Sequence, residues 1–262
     1  MRLPALGALA LALLIGSATG ASANMVQNGS FSANTLPALP GFNGAEIDTL
    51  YNYAGAVTGW SSPSVAGYTN AYNLYEFGTS VANVVGADAA SRFPSEQQRM
   101  DSNFNALSQN GGAFMILDGD PTFTGPLQQT IGGLTVGQTY QLNFDWAGGE
   151  LSNRTGFTSD QLQVTFGGDT QSTAQYLNTA GAGQPGSFSG WQQVSMIFTA
   201  HATSQTLSFL SVGTAPGANL PPVALLDGVS LTVPEPTAWA LMLLGFGGLG
   251  VALRRRRRLA AA

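Results

Sequence analysis

Thr139-Tyr140-Gln141-Leu142-Asn143-Phe144-Asp145-Trp146 is the stretch on which the fold turns. Tyr140, Leu142, Phe144 and Trp146 fall on one side of a period-two pattern, with Gln141, Asn143 and Asp145 on the other, as a half-buried strand requires. The same alternation runs outward in both directions. Leu162, Val164 and Phe166 alternate with Gln161, Gln163 and Thr165. Val194, Met196 and Phe198 alternate with Ser195, Ile197 and Thr199, where the isoleucine points to a second covered face. Leu207 with Phe209, and Val229 with Leu231, continue it, and residues 25–31, 81–85, 113–118 and 126–131 complete the expected strands. Turn residues separate them: Asp118-Gly119-Asp120-Pro121, Gly132-Gly133, Val136-Gly137-Gln138, Gly167-Gly168-Asp169 and Asp227-Gly228. Short strands over about 200 residues, with no repeat and no helical stripe away from the termini, predict one antiparallel β-sandwich over residues 24–232, most simply a jelly roll. Residues 32–80 and 86–112 read as long decorated loops, where such folds carry function.

Charge is placed unevenly around this domain. All nine basic residues are arginines; Arg2 stands at one end, Arg254 to Arg258 at the other, and Arg92, Arg99 and Arg154 lie between. Residues 24–233 hold those three arginines against thirteen acids, a net of −10. A domain without a basic face cannot neutralise phosphates, so nucleic acid is excluded as a partner. With no cysteine there is neither a disulfide nor a thiolate site, and the fold must be held by burial.

The ends read as addresses. Arg2, the apolar run Leu6–Ile15 and the small residues Ala21-Ser22-Ala23 form a secretory signal peptide over residues 1–23, cleaved before Asn24. At the other end Val233-Pro234-Glu235-Pro236 precedes an uncharged segment, Thr237 to Leu253, of seventeen residues. At ~1.5 Å per residue it reaches about 25 Å, enough for a thin bilayer. The arginine block that follows, Arg254, Arg255, Arg256, Arg257 and Arg258, stays cytoplasmic by the positive-inside rule. The segment is thus expected to be a transmembrane helix with the domain outside.

His201, the one histidine, sits in the turn-like Thr199-Ala200-His201-Ala202-Thr203, and no G-x-S-x-G elbow accompanies it. A surface turn is the better reading. Glu46/Asp48, Asp118/Asp120 and Asp145/Glu150 are the acid pairs nearest in sequence, the raw material of a glycosidase, but thirteen acids produce such neighbours by chance. Asp118, Asp120 and Asp169 offer hard oxygens to calcium without forming a D-x-D-x-D-G loop. Aromatics cluster between 51 and 77 amid asparagines, so Tyr68, Tyr72 and Tyr75 are candidate glycan contacts, flat faces on which sugar rings stack. Several aromatics of this cluster should belong to the core, Trp60 foremost.

Two resemblances add to this. Pro234-Glu235-Pro236-Thr237-Ala238-Trp239-Ala240, the apolar segment with its glycines, and the terminal arginines resemble the PEP-CTERM sorting signal in its PEPxxWA variant, over residues 233–258. The resemblance implies export in a Gram-negative bacterium, recognition by an exosortase in the inner membrane, cleavage near Pro-Glu-Pro, and release to the cell surface or extracellular matrix, in an exopolysaccharide or biofilm setting. Asn28-Gly29-Ser30-Phe31, Gly59-Trp60, Leu127 to Ile131 with Gly137 to Leu142, and Leu226-Asp227-Gly228-Val229-Ser230-Leu231 are similar to galactose-binding-like jelly rolls, modules frequent in carbohydrate recognition. Members of that family often hold a structural calcium between an acid after the opening motif and an aspartate in the closing strand. Asp227 matches the second position, whereas Ser32 stands at the first, so Asp227 is a weak metal candidate only. The resulting expectation is a non-enzymatic exported protein without a cofactor, structural, adhesive or binding extracellular polysaccharide. A carbohydrate-active enzyme using loop carboxylates and a self-associating matrix component are the alternatives.

Overall fold

The computed structural model describes residues 23–33, 57–62, 72–76 (backbone), 100–110, 112–119, 125–151, 156–179, 188–213 and 222–234. The chain divides into two compact units, residues 24–236 and a second made of 1–23 with 237–262. Apart from Ala23, the described residues belong to the first. The expected strand 81–85, the apolar segment 237–253 and the arginine block lie outside them. Among the described residues there is no helix long and apolar enough to cross a membrane.

Among the described residues eleven strands follow one another: β1 (Tyr72–Glu76), β2 (Ala113–Asp118), β3 (Leu127–Gly132), β4 (Thr139–Gly149), β5 (Thr158–Asp160), β6 (Leu162–Phe166), β7 (Asp169–Ser172), β8 (Tyr176–Asn178), β9 (Gln192–Thr199), β10 (Ser204–Ser211) and β11 (Val223–Thr232). One sheet has the order β1-β2-β11-β4-β9, a second β3-β10-β6-β7, and β5 and β8 pair apart. Every ladder between these strands is antiparallel. With β1 and the small pair set aside, the eight remaining strands interleave as 1-8-3-6 against 2-7-4-5. That is the double Greek key of a jelly roll, now read from strand order.

The apolar sides of these alternating strands close the sandwich. Leu142, Phe144, Trp146, Leu226 and Leu231 of the first sheet meet Leu162, Val164, Phe166, Leu207 and Phe209 of the second in one buried cluster. Phe144 and Phe209 stack edge-on across it at 5.3 Å, and Phe166 meets Phe198 at 5.9 Å. Burying each such side chain contributes roughly 1.5–3 kcal/mol. Trp60 is in this core, packed on Phe31 and Phe209.

Three local expectations are corrected. Residues 25–31 form no strand. Asn28 and Phe31 take left-handed backbone angles (φ 53° and 54°), and the Asn28 amide ties the segment to its neighbours, donating to Ala33 O and Thr58 O at 2.8 and 2.9 Å while accepting from Ala33 N. Trp60 Nε1 donates to Asn28 O at 3.0 Å, so Asn28-Gly29-Ser30-Phe31 and Gly59-Trp60 make one clasp. Asp227-Gly228 is not a turn between strands but a bulge inside β11, where the register to β4 shifts between Asp227 and Ser230. Gly228 adopts φ +62°, open to glycine at little cost. Finally, Ile197 has no second covered face: it is 50% exposed, on an edge strand.

Candidate functional site

The outward face of the five-stranded sheet is split in two. At one end Phe114, Ile116, Ala147, Val223 and Leu225 form a second apolar cluster, closed by Met100, Phe104 and Leu151. Segment 100–110 is anchored there, with Phe104 against Phe114 and Phe188 and with the backbone of Asp101 donating to Glu150 O. Trp191 Nε1 donates to Ala106 O at 2.9 Å and holds the middle of the segment.

At the other end the outward positions are polar and the segment becomes the wall of a cleft of about 480 Å³. Its floor consists of two rows set by strand register. Ser230 of β11, Asn143 of β4 and Ser195 of β9 lie side by side in one, and Asp145 and Gln193 in the next, which continues to Asp227, buried under the wall. Gln109 and Asn110 rise beside them. Gln141 Nε2 donates to Asn143 Oδ1 and Ser195 Oγ (3.1 and 2.9 Å), setting the orientation of the first row.

The two carboxylates hold the wall down. Asn110 Nδ2 donates to Asp145 Oδ2 at 3.0 Å, Ser108 Oγ donates to Asp227 Oδ2, and Gly228 N donates to Asp227 Oδ1 at 2.6 Å. Burial raises the Asp145 pKa from its ordinary value. Burial also pushes Asp227 up to about 7; the bonds from Ser108, Gly228 and Asn110 lower it, and the charge of Asp145 raises it. Asp145 faces outward as its alternation requires, yet it is 4% exposed and not on a solvent face, because Asn110 covers it. The sequence did not reveal this cover, since nothing in residues 100–110 alternates; only the polar side of β4 was legible.

Other candidate residues fall elsewhere. His201 is in a turn, exposed, with Nε2 2.9 Å from Asp169 Oδ2. Asp145 and Glu150 do not share a site: Glu150 is buried where Thr158 and Asn178 donate to it. Asp118 ends β2, and Glu46, Asp48, Asp120 and Tyr68 lie outside the described residues. Tyr72 pairs with Leu117 and Tyr75 with Phe114, so strand periodicity puts positions 72 and 75 on opposite faces of the sheet. Ala23, Asn24 and Pro234 are described, whereas Ala21, Glu235, Pro236, Trp239 and Arg254 to Arg258 are not. The structural calcium implied by the resemblance finds a poor donor set. Calcium takes six to eight oxygens; Asp227 already accepts from Ser108 and Gly228, Ser32 Oγ is turned to Ser30, and no three His, Cys, Asp or Glu side chains converge among the described residues.

The fold and site define a jelly-roll domain with a polar cleft on its five-stranded face. Residues 232–257 match the PEP-CTERM protein-sorting motif, which marks an exported protein sorted to the cell surface. No curated protein matches the chain. Similar solved structures include TmCBM61 in complex with β-1,4-galactotriose (14% identity, TM-score 0.40, covering 81% of this chain and 100% of that one). They also include the K1 cleaved adhesin domain of Lys-gingipain from Porphyromonas gingivalis W83 (12%, 0.37, 68% and 92%). A third is the enzymatically active domain of bacteriophage CBA120 tailspike protein 4 (13%, 0.38, 80% and 21%). Likeness at this level does not bear on function, and the jelly roll rests on its own strand order.

Proposed function

We propose that this chain is a non-catalytic cell-surface or matrix protein that holds a neutral polysaccharide in the cleft over β11, β4 and β9. The observation that carries the reading is the cleft's chemistry. Asn143, Gln193, Ser195, Ser230, Gln109 and Asn110 offer amides and hydroxyls that both donate and accept. Such groups match sugar hydroxyls, and the net charge of −10 over residues 24–233 disfavours an anionic glycan. Tyr75, at a position on the same sheet face, is a proposed further contact; Tyr68 and Tyr72 remain proposals of the sequence alone.

A hydrolase reading needs two acids reaching the substrate. Asp227 is wholly buried and Asp145 nearly so, which favours binding without cleavage. Export would run through cleavage before Asn24, a transient inner-membrane helix at 237–253 and exosortase processing near Pro234-Glu235-Pro236. The mature protein would then lack its C-terminal peptide, in keeping with a biofilm or exopolysaccharide role in a Gram-negative cell.

Calorimetric titration of the purified chain with neutral oligosaccharides, beginning with β-1,4-galactotriose and with polygalacturonate as the anionic control, tests the reading. Asn143→Ala and Gln193→Ala should each weaken neutral binding about tenfold, the value of one good hydrogen bond. Unchanged affinity in both variants, or preference for polygalacturonate, would overturn it. Release of reducing ends from the neutral chains would restore the enzyme alternative.

A further inference from the structure

The outward face of the four-stranded sheet carries a second constellation that the cleft does not use. Ladder register sets Thr170 of β7, Thr165 of β6, Ser208 of β10 and Gln128 of β3 in one line across the strands, and the bridge from Gln128 to Ser61 extends it. All five are hydroxyl or amide residues, and none is buried. Neighbouring strands are about 4.8 Å apart, so the line presents neutral donors and acceptors across the whole sheet, the Thr165 and Thr170 hydroxyls bonded to each other at 3.0 Å. Beside it Thr206 and Thr130 begin a parallel line.

This face has a groove of about 480 Å³, with Thr165, Thr206 and Ser208 along it and Gly167, Gly168 and His201 at its end. The end is built to stay open. Gly167 (φ +65°) lies against the Gln205 amide, where a Cβ would collide, and a Cβ at Gly168 would meet nothing within 4 Å. Gln205 is 6% exposed and also lines the groove. Its Oε1 accepts from His201 N at 2.6 Å and from Ala202 N at 3.2 Å, while its Nε2 has no hydrogen-bond partner. A buried donor left unmade at a polar groove is costly unless a ligand or water completes it.

We propose that this groove is a second binding site, taking an extended neutral glycan chain laid across β7, β6, β10 and β3. The ligand class rests on the function proposed above; the site rests on its own residues. Because the two sites occupy the outward faces of opposite sheets, one domain would join two polysaccharide chains, and the protein would act as a cross-link in a matrix.

The test is an amide-resolved NMR titration of the purified full-length chain with soluble galactan, xylan and dextran, beside the double variant Thr165→Val/Ser208→Ala. Valine suits a strand and alanine is only mildly disfavoured there, and an unchanged melting temperature verifies the variant's fold. Two separate groups of amides should respond, 143–145 with 193–195 and 165–168 with 204–208. The double variant should lose the second group only, and stoichiometry should fall from two chains per protein to one. Shifts confined to the first group would leave the cleft standing and overturn the second site. Shifts confined to the second group would support the groove and remove the cleft. No shift at residues 165–168 and 204–208 with any of the three glycans, or a response there that the double variant retains, would overturn the proposal.

Discussion

Gly228 shows how much one residue settles. Its left-handed angle makes the bulge in β11, and the bulge turns Asp227 beside Asp145 while Val229 returns to the core. A Cβ there would run into Asn110 Nδ2. Gly228→Ala should therefore lose roughly 1–2 kcal/mol of stability from backbone strain alone. It should also displace Asn110 from Asp145. Urea unfolding reads the first effect and the Asn110 side-chain amide resonance the second; an unshifted resonance would mean that the wall does not depend on the bulge. Read from the sequence, the dipeptide Asp-Gly predicts a turn. Only a partner strand on each side makes it a bulge, which is why that expectation failed.

At the scale of elements, β4 does two tasks at once. Its inward side supplies the centre of the core and its outward side the floor of the cleft, so the two can be separated by mutation. Phe144→Ala should cost about 3–5 kcal/mol, because the ring leaves a cavity against Phe209 that two stiff sheets cannot close. Asn143→Ala should leave stability nearly unchanged and affect binding alone. Denaturant midpoints of the two variants check this, and a comparable loss in both would undo the division. This two-sidedness was legible, since strict alternation over Tyr140 to Trp146 allows little else. β1, β5, β7 and β8 were not expected. They are short, and β7 (Asp-Thr-Gln-Ser) has no apolar side, so only pairing with β6 makes it a strand. The 100–110 wall was equally silent: its shape comes from Phe104 and Met100 finding the apolar end of another element's face.

For the whole molecule, buried acids set how stability varies with pH. Burial pushes Asp160 up to about 8, with bonds from Ser211 and Gln161 opposing and Asp118 and Glu150 reinforcing the shift; Asp227 is raised to about 7. Both start from 3.8 in the unfolded chain, so between there and pH 7–8 the folded state binds more protons. Their contribution is fully present below about pH 4 and is lost as pH rises through 7 and 8. Melting temperatures at pH 5, 6, 7, 8 and 9 should fall across that window and then flatten. Asp160→Asn, which keeps an acceptor for Ser211, should remove the upper part of the slope. A melting temperature that rises from pH 5 to 8 would contradict the burial of these groups.

The linear order of residues was enough for those properties that depend on local period or composition. The sandwich follows from apolar alternation, and the C-terminal sorting motif from Pro-Glu-Pro, an apolar run and arginines in succession. The tertiary structure decided what depends on residues meeting from distant positions. Asn110 covering Asp145, Ser230 beside Asn143 and Ser195, and Thr170, Thr165, Ser208 and Gln128 in one line all require strands to be paired first. Register is a relation between strands, carried by hydrogen bonds across the sheet, and no single segment of sequence contains it.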